Sequence, residues 1–308
     1  MLALVATGDP RTRVELKDVP EPAPGRDEAL VDVKAVSLNR GEVRALATAQ
    51  AGWRPGWDVA GVVAQPAADG SGPPAGTRVV GLVRGNGWAQ RVAVPTRTLA
   101  PLPPAVSFAS AATLPVAGLT ALRALALHGV LLGQRVLVTG AAGGVGRFAV
   151  QLAARGGAHV TGVAASSERG AGLDRLGAAT VVTEIPLAGP PYDCILESVG
   201  GASLGRALER VAPSGTIVTF GNSSGEKTTF DATAFYRTPG ARLHALLVFV
   251  EVERRGSAVR DLTTLAGLVA DKALDPQISL EASWRDPAGA LEALIARKVR
   301  GKAVLHVE

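Results

Sequence analysis

The sequence predicts an α/β protein in which a doubly wound parallel sheet is joined to a second, β-rich part. Between residues 135 and about 250, short apolar runs alternate with helical stretches, which is typical of a parallel sheet covered by helices on both faces. The first of these runs leads into the glycine-rich turn 140–146, the usual opening of a Rossmann fold. Before residue 110, by contrast, the apolar runs are short, strand-like and separated by Gly and Pro.

The β-rich part takes its predicted strands from the apolar runs between those breaks. They are 14–16, 28–37, 58–65, 78–82 and 89–94, and the helices that follow begin near Ala109, with Ser107 as N-cap, and at Thr120. The alternating region has predicted strands at 135–139, 159–163, 180–183, 194–196, 216–220 and 243–248, and predicted helices from the glycine turn to 155 and at 170–176, 202–211 and 257–271. After Pro276 we expect a strand, a helix at 286–297 and a terminal strand at 302–307.

Composition limits the possible functions. The chain has 308 residues, 47% hydrophobic and 19% charged, so it is long enough for two domains with sizeable cores. Its net charge of +5 comes from scattered arginines without interleaved aromatics, which argues against a nucleic-acid partner. A single cysteine, Cys194, excludes an internal disulfide and a multi-cysteine zinc site. No run reaches membrane-spanning length and no secretory signal is evident, so we expect a cytoplasmic protein without a metal site or a membrane partner.

The glycine turn 140–146 predicts a site for the pyrophosphate of a dinucleotide. Glycines at 143 and 146 remove Cβ atoms where the backbone must approach phosphates and where the helix must pack on the strand. The helix start presents unsatisfied N–H groups, so Gly143, Gly144 and Val145 are the candidate phosphate ligands. Ala141 departs from the strict G-x-G-x-x-G pattern, and a plain strand–helix connection is the alternative.

The residues after the second strand indicate which dinucleotide binds. An NAD site usually has Asp or Glu at this tip, but here Ala164 and Ala165 are followed by Ser166, Ser167 and Arg169. Two hydroxyls and a guanidinium suit a ribose 2′-phosphate, which favours NADPH. The alternative is that these residues only cap the next helix, and the two interpretations are compatible.

Five motifs occur in order along the chain: SLN at 37–39 with Glu42, GWDVAGVV at 56–63, AATLP at 111–115 with LTA at 119–121, the glycine turn, and GKAVL at 301–305. Together they resemble the medium-chain dehydrogenase/reductase superfamily, in its zinc-free quinone oxidoreductase (zeta-crystallin-like) branch. The resemblance implies a GroES-like catalytic domain of residues 1–112 and 275–308 and a Rossmann cofactor domain of residues 113–274. Nicotinamide and substrate would bind in the cleft between them.

The resemblance also bears on zinc. Zinc alcohol dehydrogenases of this superfamily carry Gly-His-Glu where this chain has Gly56-Trp57-Asp58, and a cysteine near Asn39. Trp57 cannot bind a metal, and no cysteine precedes position 194. Without a Lewis acid, hydride delivery to a quinone or an activated C=C is easier than alcohol oxidation, because the substrate's own carbonyl spreads the developing negative charge.

The same resemblance implies roles for individual residues. Asn39 would donate a hydrogen bond near the nicotinamide ribose and the substrate, or else form a turn before Gly41. Thr120 would lie near the nicotinamide, or else cap a helix. The other implied cofactor contacts are Val199 in the turn 197–200, Gly221, Asn222, Val248 and Arg297, and the implied substrate contacts are Trp57, Trp88 and Phe249. For Trp88 and Phe249 the alternative is packing, and for Arg297 it is a solvated helix end.

These observations predict an NADPH-dependent reductase of quinones or α,β-unsaturated carbonyls. Two alternatives stay open: a dedicated enoyl reductase for a polyketide-type intermediate, and a non-catalytic NADPH-binding protein. Segment 45–54 lacks the tyrosine that related reductases often carry as a candidate proton donor, so no general acid is assigned. The resemblance further implies a homodimer in which strand 243–248 pairs with its counterpart.

Overall fold

The computed structural model describes residues 1–308, and the chain folds into two compact units. The first unit is Met1–Leu119 with Val252–Glu308, and the second is Thr120–Glu251. The strands are β1 (Leu2–Ala6), β2 (Val14–Asp18), β3 (Glu28–Leu38), β4 (Asp58–Gln65), β5 (Arg78–Leu82), β6 (Arg91–Pro95), β7 (Leu99–Pro101), β8 (Arg135–Val138), β9 (His159–Val163), β10 (Ala178–Val182), β11 (Tyr192–Glu197), β12 (Val211–Thr219), β13 (Arg242–Ala245), β14 (Ile278–Ser283) and β15 (Lys302–His306). The helices are α1 (Arg40–Leu46), α2 (Phe108–Ala112), α3 (Leu119–His128), α4 (Gly144–Arg155), α5 (Ser167–Gly170), α6 (Gly201–Arg210), α7 (Ala232–Tyr236), α8 (Val248–Arg255), α9 (Val259–Ala270) and α10 (Ala288–Ile295), with a π-helical segment Leu114–Gly118 before α3.

The first unit is built on a seven-stranded sheet. Its order is β14-β15-β3-β4-β5-β7, with β6 also paired to β3. The 11-residue β3 is antiparallel to β4, β6 and β15, and its buried apolar residues join a core that contains Trp88 and Trp284. Because β15 comes from the end of the chain, this pairing brings the 301–305 motif beside the 37–39 motif.

The second unit contains six parallel strands in the order β10-β9-β8-β11-β12-β13. The central strands β8 and β11 are largely buried, as expected where helices cover both faces of a sheet. The chain runs from β8 outward to β9 and β10, then returns to β11 on the other side of β8. Ligands of such sheets bind at the carboxyl ends of the strands next to this reversal. The predicted α/β class with a Rossmann sheet and a β-rich N-terminal part is confirmed.

Several elements of the second unit differ from the prediction. Strand β12 begins at Val211, five residues before the predicted start, and helix α7 was not predicted. The helix expected at 170–176 is only the single turn Ser167–Gly170, followed by turns to Gly177. Gly172 and Gly177 have φ of +83° and +104°, a conformation that ends a helix. The strand expected at 243–248 ends at Ala245, and Val248 begins helix α8.

The two compact units divide at 119/120 and 251/252, and the predicted domain boundaries at 112/113 and 274/275 stay a prediction. Helix α9 belongs with the first unit, because Leu265 packs against Gly118 of the π-helical segment. The N–H of Ala258, just before α9, donates to the carbonyl of Arg97 at 2.9 Å. None of the helices combines the length and the apolar character needed to cross a membrane.

Candidate functional site

The glycine turn follows β8 at the reversal point of the parallel sheet. Gly140 has φ of +58°, and a Cβ added at Gly146 would lie 2.4 Å from the carbonyl oxygen of Gly140 and 2.6 Å from Cα of Ala141. Only glycine allows α4 to pack this closely on the turn. The sharp turn and the close packing are those of a dinucleotide-binding loop.

The N-terminus of α4 is open to an anion. Its N-cap residue, Gly143, is extended, with φ of −85° and ψ of 176°, and no side chain caps the helix. Gly143, Gly144 and Val145 are all half-buried. The N–H of Gly143 already donates to the carbonyl of Gly140 at 2.9 Å, so of the three predicted phosphate ligands only Gly144 and Val145 keep their N–H groups for a ligand. The first-turn N–H groups and the helix dipole favour a phosphate here. The glycine turn therefore fits the pyrophosphate of a dinucleotide.

The buried carboxylate of Glu197 organises the next loop. It accepts hydrogen bonds from the N–H groups of Val199 and Gly200, each at 3.0 Å, and from Oγ of Ser203 at 2.9 Å. It also accepts from Oγ1 of Thr139 at 3.1 Å, at the start of the glycine turn. Glu197 thus ties the turn 197–200 to β8 and to α6. For this turn the resemblance implied a cofactor contact at Val199 and no role for the side chain of Glu197. The available signal was a carboxylate at the end of an apolar strand.

The loop after β12 lies against the same turn. The N–H groups of Ser223 and Ser224 donate to the carbonyls of Ser198 and Val199, at 3.1 and 2.8 Å. The predicted cofactor residues Val199, Gly221 and Asn222 are therefore brought close together. The side chain of Asn222 holds its own loop by accepting from the N–H of Gly225 at 3.1 Å.

The tip after β9 caps the short helix α5. Oγ of Ser166 accepts from the N–H of Arg169 at 3.2 Å, so the capping interpretation is correct for Ser166. Ser167 is exposed and Arg169 is half-buried. A cleft of about 620 Å³ begins at Ser166 and Ser167 and extends along β10. A role of these residues toward a 2′-phosphate stays a prediction.

A buried guanidinium connects this tip to the glycine turn. Arg147, in the first turn of α4, donates to the carbonyl of Ala142 at 3.4 Å and to that of Ala171 at 3.3 Å. Arg147 was not among the predicted site residues. Arg147 braces the loop after α5 against the phosphate-binding turn.

In the first unit, Asn39 lies in a buried polar cluster. Its Oδ1 accepts from Nζ of Lys302 at 2.8 Å, and its Nδ2 donates to Oδ2 of Asp58 at 2.8 Å. Asp58 also accepts from Oγ of Ser37 at 2.5 Å and from the N–H of Val116 at 2.8 Å. Such a set of donors suits an ionised carboxylate. Asn39 is the N-cap residue of α1, so a helix start takes the place of the predicted alternative turn.

A second buried carboxylate, Glu42, completes this cluster. It accepts from the N–H groups of Asn39 and Trp57, each at 2.7 Å. Burial, followed by the nearby charge of Asp58, raises the pKa of Glu42 to about 8. Burial also lowers the pKa of Lys302, while Asp58 and Glu42 oppose that change. With Glu42 protonated, Asp58 and Lys302 form a balanced buried pair.

The raised pKa of Glu42 predicts that the first unit loses stability as pH rises. Above its ordinary value of 4.5 this carboxyl ionises in the unfolded chain, but in the folded chain only near pH 8. The folded state therefore binds more protons across this window, and the free energy of unfolding should fall by about 2–4 kcal/mol and then level off. Asp58 and Lys302 are the charged groups facing Glu42. Urea unfolding at several pH values should show that Glu42→Gln removes most of this fall; an unchanged slope would refute the assignment.

The other predicted residues are scattered. Trp88 has 1% of its surface exposed and packs in the core, so we assign it to the core, not to a substrate cleft. Trp57 is half-buried over Gly41, whose added Cβ would lie 2.5 Å from the indole ring. Thr120 lies inside a continuous helical stretch, so it is no N-cap. Val248 is buried at the start of α8 and Phe249 is half-buried beside it, while Arg297 is exposed after α10 with φ of +58°.

The site residues do not form a cluster of metal ligands. The structure has no group of three or more His, Cys, Asp or Glu side chains arranged to hold a metal ion. The two carboxylates of the first unit are instead occupied by backbone N–H groups, Asn39 and Lys302.

Family models match both units. The alcohol dehydrogenase GroES-like domain model matches residues 25–104, and the zinc-binding dehydrogenase model matches residues 144–261. A chloroplastic quinone-oxidoreductase of Triphysaria versicolor is 37% identical over 165 residues, covering 48% of this chain and 50% of that protein. A spectinabilin polyketide synthase system protein of Streptomyces orinoci is 38% identical over 211 residues, covering 65% of this chain but 10% of that protein.

Solved structures extend the match to the whole chain. The Escherichia coli quinone oxidoreductase complexed with NADPH superposes with a TM-score of 0.88, at 22% identity, over 99% of this chain and 100% of that one. The matches to the two curated relatives, in contrast, span half or less of those proteins' length. The chain belongs to the medium-chain dehydrogenase/reductase superfamily, in its quinone oxidoreductase-like branch.

Proposed function

We propose that the chain is an NADPH-dependent, zinc-independent reductase that transfers hydride to a quinone or an α,β-unsaturated carbonyl. One observation supports this proposal most directly. In a chain that belongs to this branch, the N-terminus of α4 has no side-chain cap and follows a turn that only glycine can form. The NADPH in the Escherichia coli structure and the name of the Triphysaria relative support this choice. Cytoplasmic location stays a prediction of the sequence.

The chain's own residues bind and orient in this proposal. The N–H groups of Gly144 and Val145 hold the pyrophosphate, and Glu197 fixes the turn that carries Val199. The N–H of Gly143 instead donates to the carbonyl of Gly140 at 2.9 Å and shapes the turn. NADPH, when bound, supplies the hydride. The remaining N–H of Asn39 donates to the nicotinamide ribose or to the substrate carbonyl. No general acid is assigned, because residues 45–54 contain no tyrosine; water or the substrate itself supplies the proton.

Steady-state assays of NADPH oxidation on a panel of quinones, enones and enoyl thioesters test this function. Turnover of simple quinones or enones supports the broad reductase. Turnover of polyketide-like enoyl thioesters alone supports the dedicated enoyl reductase, which the match to the polyketide synthase protein favours. Tight NADPH binding without any turnover would leave the non-catalytic alternative.

The preference for NADPH over NADH is expected to depend on Arg169. A guanidinium–phosphate contact contributes about 1.5–3 kcal/mol, so Arg169→Ala should reduce the ratio of NADPH to NADH affinity by at least about tenfold. Fluorescence titration of both cofactors measures this ratio. Arg175→Ala, an exposed arginine six residues further on, is the control and should leave it unchanged. Equal ratios in wild type and Arg169→Ala would exclude the phosphate role.

We further propose a homodimer through the edge strand β13. This strand has a partner, β12, on one side only. Leu243 within it and Leu247 just after it are 46% and 60% exposed. An exposed apolar edge strand favours pairing with a second copy. Light scattering of the purified protein tests this, and a monomer at micromolar concentration would refute it.

A further inference from the structure

The side-chain amide of Asn39 is held between two opposite charges. Lys302 can only donate, and its Nζ lies 2.8 Å from Oδ1 of Asn39. Asp58 faces the other end of the amide, with Oδ2 at 2.8 Å from Nδ2. A half-turn of the amide would place its NH₂ against the ammonium group and its oxygen against the carboxylate, and both contacts are repulsive. The two charges therefore select one of the two amide orientations.

The charged pair is itself held in place. Nζ of Lys302 also donates to the carbonyl of Leu38 at 3.2 Å and lies 3.5 Å from Oδ2 of Asp58. Both side chains are almost fully buried, at 3% and 0% exposed. The β15–β3 and β3–β4 pairings bring together residues from the two ends of the chain. In this arrangement one hydrogen of Nδ2 is used by Asp58 and the second is available to a ligand.

We propose that Lys302 and Asp58 are positioning residues that hold the amide of Asn39 in the orientation that offers its remaining N–H to the reacting ligand. The inference rests on the proposed function, in which Asn39 contacts the nicotinamide ribose or the substrate. A buried charge pair that does not position Asn39 would affect stability alone. Replacing both of its residues by uncharged ones of similar size can leave the stability unchanged. The two roles therefore predict different results when both charges are removed: a positioning role predicts a lower kcat, and a purely stabilising role predicts an unchanged kcat.

The test is the double variant Lys302→Met/Asp58→Asn in the full chain. Removing both charges together leaves no unpaired buried charge, so the thermal midpoint should stay near that of the wild type. Without the charges the amide can turn, and kcat on a substrate of the wild type should fall at least about tenfold. NADPH affinity should change less than about twofold, because the glycine turn is untouched. Wild-type kcat in a stable double variant would overturn the positioning role.

A matched control uses an exposed pair of the same sheet. Arg91 and Asp32 pair at 2.9 Å, both well exposed, so Arg91→Met/Asp32→Asn should leave kcat unchanged. A wild type that turns over none of the substrates would contradict the proposed function itself, which is a different result from an active, unaffected double variant.

A measurement on the wild type covers the case in which the double variant does not fold. The side-chain ¹⁵N–¹H₂ signals of Asn39, assigned by their loss in Asn39→Ala, should form one slowly exchanging pair that persists at pH 8. Signals averaged by rotation, or exchanging as fast as those of exposed Asn222, would overturn the proposal without reference to turnover.

Discussion

Replacing Lys302 by methionine should destabilise the protein by about 3–5 kcal/mol at pH 8, the cost of breaking a buried ion pair by removing one partner. Methionine fills a similar volume, so the loss comes from electrostatics. Asp58, which is fully buried, then keeps its hydrogen bonds from Ser37, Asn39 and Val116 but loses its ion pair with the ammonium group of Lys302. Glu42 loses the same cation, which otherwise lowers its pKa.

The destabilisation should depend on pH in a defined direction. At pH 5 Glu42 is protonated and needs no cation, so the loss should be smaller, whereas at pH 8 and above Glu42 also ionises without its cation and the loss should be full. Urea unfolding at both values measures this. Lys34→Met, an exposed lysine on β3, is the control and should change stability by no more than about 0.5 kcal/mol. A loss below 1 kcal/mol for Lys302→Met at pH 8 would mean that the lysine is uncharged in the folded protein.

Local pattern predicted most of the secondary structure. Strand β4 has the predicted bounds 58–65 because its apolar run is flanked by glycine and proline, and β9 likewise has the predicted bounds. The turn before α4 was predictable because its glycines lie within seven consecutive residues, so the local sequence alone determines the turn. The prediction of a helix at 170–176 failed because three glycines lie within or beside this segment. Positive φ at two of them outweighs the apolar spacing.

The polar cluster of the first unit could not be predicted, because its members are far apart in sequence. Nζ of Lys302 meets Oδ1 of Asn39 across a separation of 263 residues, which only the β15–β3 pairing creates. One signal was present: Asp58 and Lys302 are charged residues that begin apolar strands, where a charge requires a buried partner. That signal identifies the residues but not their pairing.

Replacing Glu197 by alanine should destabilise the second unit by about 3–5 kcal/mol and weaken NADPH binding more than tenfold. The substitution removes the acceptor of the N–H groups of Val199 and Gly200 and of the Ser203 hydroxyl, while the hydroxyl of Thr139 keeps only the carbonyl of Leu196 at 3.4 Å. Each buried donor left unpaired costs about 1–3 kcal/mol, although the costs do not add fully. Cofactor affinity falls as well, because Glu197 fixes the turn 198–200 relative to the start of the glycine turn. Chemical unfolding and fluorescence titration with NADPH measure the two effects.

Two further variants separate the buried carboxylate of Glu197 from a general loss of charge. Glu184→Ala removes an exposed carboxylate of the same unit that pairs with Arg206 at 2.6 Å, and it should cost at most about 1 kcal/mol with unchanged NADPH affinity. Glu197→Asp keeps the charge but shortens the side chain by one methylene, so it should retain part of the contacts and fall between wild type and Glu197→Ala. If Glu197→Ala bound NADPH as tightly as the wild type despite lower stability, the turn would not depend on this carboxylate for its cofactor contacts. Stability and NADPH affinity should fall together, because the carboxylate of Glu197 accepts hydrogen bonds from Thr139 after β8, from the turn 197–200 and from Ser203 of α6.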